Sequence, residues 1–261
     1  ALAGRSFIIA CGGDGTINEV ANGIIRSGTN AELGILPSGT GGDFRRTLEM
    51  PHGNRDAAAA LRDGTTRTID VGRVTFRCHD GEQTTRYFLN VSSAGLAAEV
   101  IKRVKSTKVF DWLPIEKLRG QANFAASTLQ EIVDMDGSTL RVRFDDGDWH
   151  SLRTIAFCVA NARFFGGGMM IAPDAVLDDG QLDVINVGDL STLSVIRKAP
   201  ALYRGTIASL REVNTRRASR IEVESADPGT DIMIETDGEL PGSLPALYEV
   251  VPAALRVRVP R

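Results

Sequence analysis

Within its first 46 residues the chain twice runs a short apolar segment straight into a glycine-rich loop. Ser6 to Ala10 (SFIIA) opens into CGGDGT, and Leu33 to Leu36 (LGIL), stopped by Pro37, opens into SGTGGDFRR. A short apolar run closed by glycines is the pattern of a buried parallel strand. Behind the first loop, Thr16-Ile17-Asn18-Glu19 reads as a T-x-x-E capping box, and Ile17, Val20, Ala21, Ile24 and Ile25 recur at helical spacing until Gly28. Two strand-then-glycine-loop units with an amphipathic helix between them call for an α/β domain, assigned to residues 1–65.

From about Thr66 the pattern changes. Alternating or β-branched runs at 67–76, 86–92, 139–145, 152–159, 182–187, 219–224 and 231–236 are separated by Asp-Gly turns at Asp80-Gly81, Asp136-Gly137, Asp146-Gly147 and Asp179-Gly180. Helices are expected at 96–107, 114–134 and 191–204, and Leu255 to Val259 (LRVRV) reads as a closing strand. Residues 66–261 are therefore expected to form a β-rich second domain, with the extreme C-terminus packing back on the first.

With 261 residues, 43% apolar and 24% charged, the chain can bury a sizeable core, and a net charge of -3 speaks against bulk nucleic-acid binding. Cys11, Cys78 and Cys158 are far apart and form no C-x-x-C pair, which suggests neither a disulfide framework nor a zinc site and fits a reducing cytoplasm. His52, His79 and His150 are as scattered, so histidine chemistry is not indicated. No uninterrupted apolar run reaches the roughly 18 residues of a membrane span. The opening ALAG, without Met, is read as a truncated amino end.

Glycines let a backbone approach a ligand closely, and the first amides of a following helix carry a partial positive charge. Gly12, Gly13, Gly15 and Thr16 thus make a phosphate cradle or a simple strand-to-helix turn, and the Ser38 to Asp43 loop repeats the design. Asp14 would repel a bare phosphate. It either handles a divalent cation carried with ATP, or, like Asp43, satisfies backbone amides of its loop. Asp237-Gly238, ahead of Glu239 and after the run IMIET, is by itself a hairpin turn.

GGDGTINEVANG, then GILPSGTGGDFRR, then ETDGEL near the end resemble the diacylglycerol kinase catalytic-domain family, lipid kinases related to sphingosine and ceramide kinases. TIDVG (68–72), FLNVSSAGLAAEV (88–100), VANARFFGGGMMIAPDAVLDDGQLDV (159–184) and ALRVRVP (254–260) fit the same family in order, so the resemblance covers nearly the whole chain. It implies an ATP-binding α/β domain like that of NAD kinases and 6-phosphofructokinases joined to a β-sandwich-like domain, with the active site in the cleft between them. It also implies ATP and Mg2+ as cofactors. ATP contacts would come from Gly12, Gly13, Asp14, Gly15, Thr16, Asn18 and Glu19 in the first loop and helix and from Gly39, Thr40 and Gly41 in the second, with Asp43 and Asp70 in the acidic network around the ion. Glu239 would accept the proton of the lipid hydroxyl, Asp237 would lie beside it on the magnesium side, and Asp14 would join them in the catalytic set. A structural divalent ion would sit at Val176, Asp179 and Gln181.

Two departures stand out. Gly42 replaces the family's usual Asn in GTGGD, and the family's first strand with its N-P-x-x-G loop is expected about fifty residues before Ala1, which leaves the nucleotide domain incomplete in this chain. The partner expected is a lipid alcohol at a peripheral membrane surface, with a homodimer as a further expectation. Seven Lys or Arg and one acid, Glu212, lie between Arg197 and Arg220, and the basic run Lys102 to Lys108 leads into Phe110, Trp112 and Leu113. These stretches either face an anionic surface or form solvated helix faces. The competing functional readings are an NAD kinase-like enzyme and a non-catalytic homologue that binds a nucleotide or lipid.

Overall fold

The computed structural model describes residues 1–39, 41–95, 137–227 and 229–261. The two apolar runs form β1 (Phe7–Gly12) and β2 (Glu32–Pro37), paired in parallel in register Phe7 to Glu32 through Gly12 to Pro37. Between them α1 (Asp14–Arg26) buries Ile17, Ala21 and Ile24, the apolar stripe of the sequence. It starts two residues before the expected capping box. Its N-cap is Gly13, which has no side chain with which to cap it. β1 is also less buried than expected: Ala10 points into the core, whereas Phe7 and Ile9 stay 37% and 44% exposed on the opposite face.

After α2 (Asp43–Thr47) and α3 (Asn54–Asp63), β3 (Thr65–Arg77) and β4 (Gln83–Phe88) form an antiparallel hairpin around the Asp80-Gly81 turn. The strands that follow are β5 (Val91–Gly95), β6 (Ser138–Phe144), β7 (Trp149–Thr154), β8 (Ala156–Ala160), β9 (Phe164–Phe165), β10 (Met169–Met170) and β11 (Leu182–Val187). Next come α4 (Thr192–Lys198), α5 (Pro200–Arg204), a 3-10 turn (Ile207–Ser209), β12 (Val213–Ala218), β13 (Arg220–Ser225), β14 (Met233–Thr236) and β15 (Glu239–Val259). The helices expected at 96–107 and 114–134 lie outside the described residues; that expected at 191–204 appears as α4 and α5.

One curled sheet runs β12-β11-β8-β5-β14-β15-β13-β6-β7, and its inner face gathers Phe76, Phe88, Leu140, Val142, Phe157, Leu182, Ile221, Ile234 and Tyr248 into a single core. Two runs expected to be continuous strands are broken where the chain changes partner. The run 86–92 splits between β4, paired with β3, and β5, paired with β8 and β14; the run 152–159 splits between β7, on β6, and β8, on β5 and β11.

β15 ties the whole together. Along its 21 residues it pairs with β14, β13 and β3, and at Arg256 and Val257 it pairs in parallel with Glu32 and Leu33 of β2. The junction is sealed by Arg258, whose guanidinium donates to both carboxylate oxygens of the buried Glu32 at 2.8 and 3.0 Å while the Thr66 hydroxyl adds a third bond at 2.7 Å. Stranding a buried charge costs about 3–5 kcal/mol. Arg258→Ala should therefore lower unfolding free energy by about 3 kcal/mol, since the arginine itself keeps some exposure, as read from urea denaturation.

Candidate active site

The two glycine loops cross in contact. The Ser38 amide donates to the Gly12 carbonyl at 3.1 Å, and a Cβ on Gly39 would lie 2.2 Å from the Gly13 Cα. Glycine at these positions thus follows from backbone touching backbone. From the first loop Asp14 reaches over to the second, where its Oδ2 accepts the Asp43 amide at 3.1 Å and its Oδ1 the Phe44 amide at 3.0 Å. Of the two readings of this acid, the amide-satisfying one is observed, but across 29 and 30 residues rather than within its own loop. Gly42 has φ 70° and ψ 37°, the left-handed region that Gly and Asn tolerate best. The replacement of the family's Asn therefore keeps the backbone and removes only a side chain.

Asp43 continues the chain of contacts. It pairs with Arg46 at 2.8 Å and accepts the Gly167 amide at 2.8 Å, from the Gly166–Gly168 turn between β9 and β10. Burial first, and then the neighbouring charge of Asp14, push its carboxyl above the usual range, against the Gly167 amide and Arg46. The amides of Asp14, Gly15 and Thr16 precede the first intrahelical bond, Ile17 N to Gly13 O at 3.0 Å, and so point outward unpaired within the helix. Gly15, Thr16 and Glu19 are exposed around them. Gly41 sits against the Asp14 carboxylate; Thr40 lies outside the described residues.

Asp237 and Gly238 form the tip of the β14–β15 hairpin, with Thr236 opposite Glu239. Both tip residues have positive φ, 46° and 88°, as a two-residue type I′ turn requires and Asp-Gly favours. The Asp237 carboxylate is buried and saturated. Oδ2 accepts from Asn18 Nδ2 at 2.6 Å and the Leu89 amide at 2.7 Å, and Oδ1 from the amides of Asn90 and Val91 at 3.0 and 3.1 Å. A carboxylate has about four acceptor positions, so Asp237 presents no vacant lone pair to a cation, unlike the placement on the magnesium side that the resemblance implies. This clamp also explains the break between β4 and β5, whose linking amides are the ones it takes. Burial, against those four donors, brings Asp237 up to about 6. Asn18 is committed in the same contact, donating also to the Tyr87 carbonyl at 3.2 Å, rather than facing a nucleotide. Glu239, the first residue of β15, is exposed.

Asp70 is placed away from the glycine loops' acids: its oxygens accept the amides of Gly180 at 2.7 Å and Ala253 at 2.8 Å, and among the described residues no hydrogen bond joins it to Asp14 or Asp43. It braces the 177–180 loop, in which Val176 and Asp179 are exposed and Asp179 Oδ1 accepts the Gln181 amide at 3.1 Å. Among the described residues no three His, Cys, Asp or Glu side chains cluster as a metal site. One residue the sequence reading passed over is Glu235. It is 4% exposed, and its carboxyl accepts from Ser93 Oγ at 2.7 Å and the Gly238 amide at 2.6 Å. Its only sequence signal is a charge in an inward position of a strand.

The crossing loops and the hairpin clamp fall within two matched regions. Residues 1–74 match the diacylglycerol kinase catalytic domain, and residues 90–259 match the YegS C-terminal NAD kinase beta sandwich-like domain. The chain belongs to the diacylglycerol kinase catalytic-domain family. It is 31% identical over 259 residues to a diacylglycerol kinase of Mycobacterium tuberculosis strain H37Rv, covering 99% of this chain and 78% of that protein. To the diacylglycerol kinase of Bacillus subtilis strain 168 it is 28% identical over 262 residues, covering 100% of this chain and 80% of that protein. In fold it is similar to a crystal structure of a diacylglycerol kinase from Bacillus anthracis str. Sterne, with TM-score 0.68 and 19% identity over 99% of this chain and 78% of that one. The expected architecture, an NAD kinase-like α/β unit joined to a β-sandwich-like curled sheet, is the one observed. No helix among the described residues is long and apolar enough to cross a membrane.

Two outcomes test the site's construction. Gly39→Ala, whose new methyl would overlap the Gly13 backbone, should separate the loops and cost about 1–3 kcal/mol in thermal or urea unfolding. The second concerns Glu235, which burial first of all pushes up to about 7 from 4.5. A carboxyl whose folded pKa lies above its unfolded one keeps an extra proton in the folded state. Its contribution is therefore complete below about pH 4.5 and is lost as pH rises through about 7, by at most about 3 kcal/mol. Glu235→Gln should flatten the fall in stability between these pH values, leaving the smaller slope that Asp237 supplies; Tm measured against pH checks it.

Proposed function

We propose that this chain transfers the γ-phosphoryl group of ATP to the hydroxyl of a lipid alcohol, in the cleft between the glycine loops and the β14–β15 hairpin. The observation that carries this reading is the 2.6 Å bond from Asn18 to Asp237, which holds the hairpin tip against α1 one turn past the outward amides of Asp14, Gly15 and Thr16. Those amides suit a nucleotide's phosphates. Magnesium fits beside Asp14 and Asp43, where the charge of Asp14 helps to raise the Asp43 carboxyl and each oxygen has at most two donors among the described residues; bound there, the ion would neutralise charge building on the transferred group. Asp179, exposed and backed by the Asp70 brace, would hold the structural ion with the carbonyls of Val176 and Gln181.

The chain's own contribution to the chemistry is positioning and proton transfer. Asp14 and Asp43 keep the two loops in register so that phosphate-facing amides stay pre-aligned. Glu239, two residues past the clamped Asp237, accepts the hydroxyl proton. A lipid acceptor must be met at a membrane surface, and α4 and α5 offer exposed Leu193 and Tyr203, 66% and 61% accessible, beside exposed Arg197 and Arg204. No Asp or Glu occurs from Leu190 to Arg211. Cations beside exposed apolar side chains suit an anionic bilayer. The basic run at 102–108 and its aromatics lie outside the described residues.

The test is transfer from γ-labelled ATP to a panel of diacylglycerols, sphingoid bases, ceramide and NAD+. Glu239→Gln should lower kcat by about 10²–10⁴-fold with ATP affinity retained, whereas Gly13→Val should weaken ATP binding in calorimetry. Label passing only to NAD+ would move the chain to the NAD kinase reading, and full turnover in Glu239→Gln would remove the base.

A further inference from the structure

We infer that Glu235 is the positioning residue that fixes the turn presenting Glu239. The role rests on the reading of Glu239 as the proton acceptor. In a two-residue hairpin turn the amides of both tip residues lie outside the ladder and need acceptors from elsewhere. Asp237 N donates to the Val91 carbonyl at 3.1 Å, and Gly238 N donates to Glu235 Oε1 at 2.6 Å. The second carboxyl oxygen is anchored by the Ser93 hydroxyl at 2.7 Å on β5, directly across the ladder. The Asp237–Gly238 peptide, one residue before the one that carries Glu239, is thus held from inside the sheet, through one side chain, to a neighbouring strand.

A strand residue in this place has no need of a carboxyl. Glu235 lies in the β14–β5 ladder at an inward position, beside the buried thiol of Cys158. A β-branched apolar side chain would fill such a site without the desolvation a carboxyl incurs. What the carboxyl adds is a reach of three residues to the Gly238 amide. A small displacement of a reacting group can cost a large factor in rate while leaving remote binding intact.

The experiment compares Glu235→Ala, Glu235→Gln and Ser93→Ala in the intact protein, with kinase kinetics beside hydrogen exchange of the hairpin. Glu235→Ala should lower kcat tenfold or more with KM for ATP within about threefold, and should speed exchange at the Gly238 amide. Glu235→Gln keeps an acceptor for Gly238 and a donor for Ser93, and should restore most of kcat and the protection. Ser93→Ala, which leaves the strand and the carboxyl in place, should fall between and serves if Glu235→Ala does not fold. Near-normal kcat in Glu235→Ala or in both other variants overturns the role. Equal loss in Gln and Ala overturns it too, because charge and not the tether would then matter. Wild-type protein that phosphorylates no hydroxyl overturns the kinase reading and this role with it, while unchanged Gly238 exchange in Glu235→Ala or Ser93→Ala removes the tether alone.

Discussion

A single strand, β15, sets the geometry on which everything else depends. Its first residue is Glu239 and the end of its ladder reaches Glu32 and Leu33 of β2, so the hairpin tip and the glycine loops are spaced by one continuous backbone. Sheet pairing is stiff along the strand, and β15 is held on both sides for much of its length, by β3 from Ser243 to Val259 and by β14 and then β13 on the other edge. Two units joined by a loop would be free to shift relative to one another; two units sharing a strand are not. The bidentate Glu32–Arg258 pair at the far end adds register, because slipping β15 by one residue would move Arg258 to the opposite face.

Against that frame the glycine loops perform two functions at once. Their backbones touch at Gly13 and Gly39, an approach closed to any side chain, and the Asp14, Gly15 and Thr16 amides of the first loop point outward at the start of α1. Asp14 makes the pair rigid from within. Among the described residues its carboxylate takes the Asp43 and Phe44 amides at the start of α2 and none of the first amides of its own helix. The negative charge inside the first glycine loop is thereby set against the second loop, beside Asp43.

The strands, the helix α1 and both loops can be read from the sequence because each is announced locally: β11 occupies Leu182–Val187, the run marked by alternation, and the apolar stripe of α1 is the one buried. What cannot be read is set by partners far along the chain. The run 86–92 looks continuous until Asp237, some 146 residues away, takes the amides of Leu89, Asn90 and Val91. The T-x-x-E box at Thr16 is a sound local signal overruled by the Asp14 contact, which starts the helix earlier. Glu235 carries no motif at all, since a buried carboxyl and an exposed one are the same letter.

That ambiguity bears directly on chemistry. Asp14, Asp43, Asp70, Glu235 and Asp237 all accept backbone amides, and a carboxylate so held is fixed in place. At Asp43, Glu235 and Asp237 burial outweighs those bonds and raises the carboxyl above its usual range, so what the amides secure is position. Glu239, the first residue of β15, is exposed at the mouth of the hairpin. These five acids serve as internal fasteners, each tying its own segment to at least one backbone N–H, and that use of a carboxylate is set by which amides the fold leaves beside it.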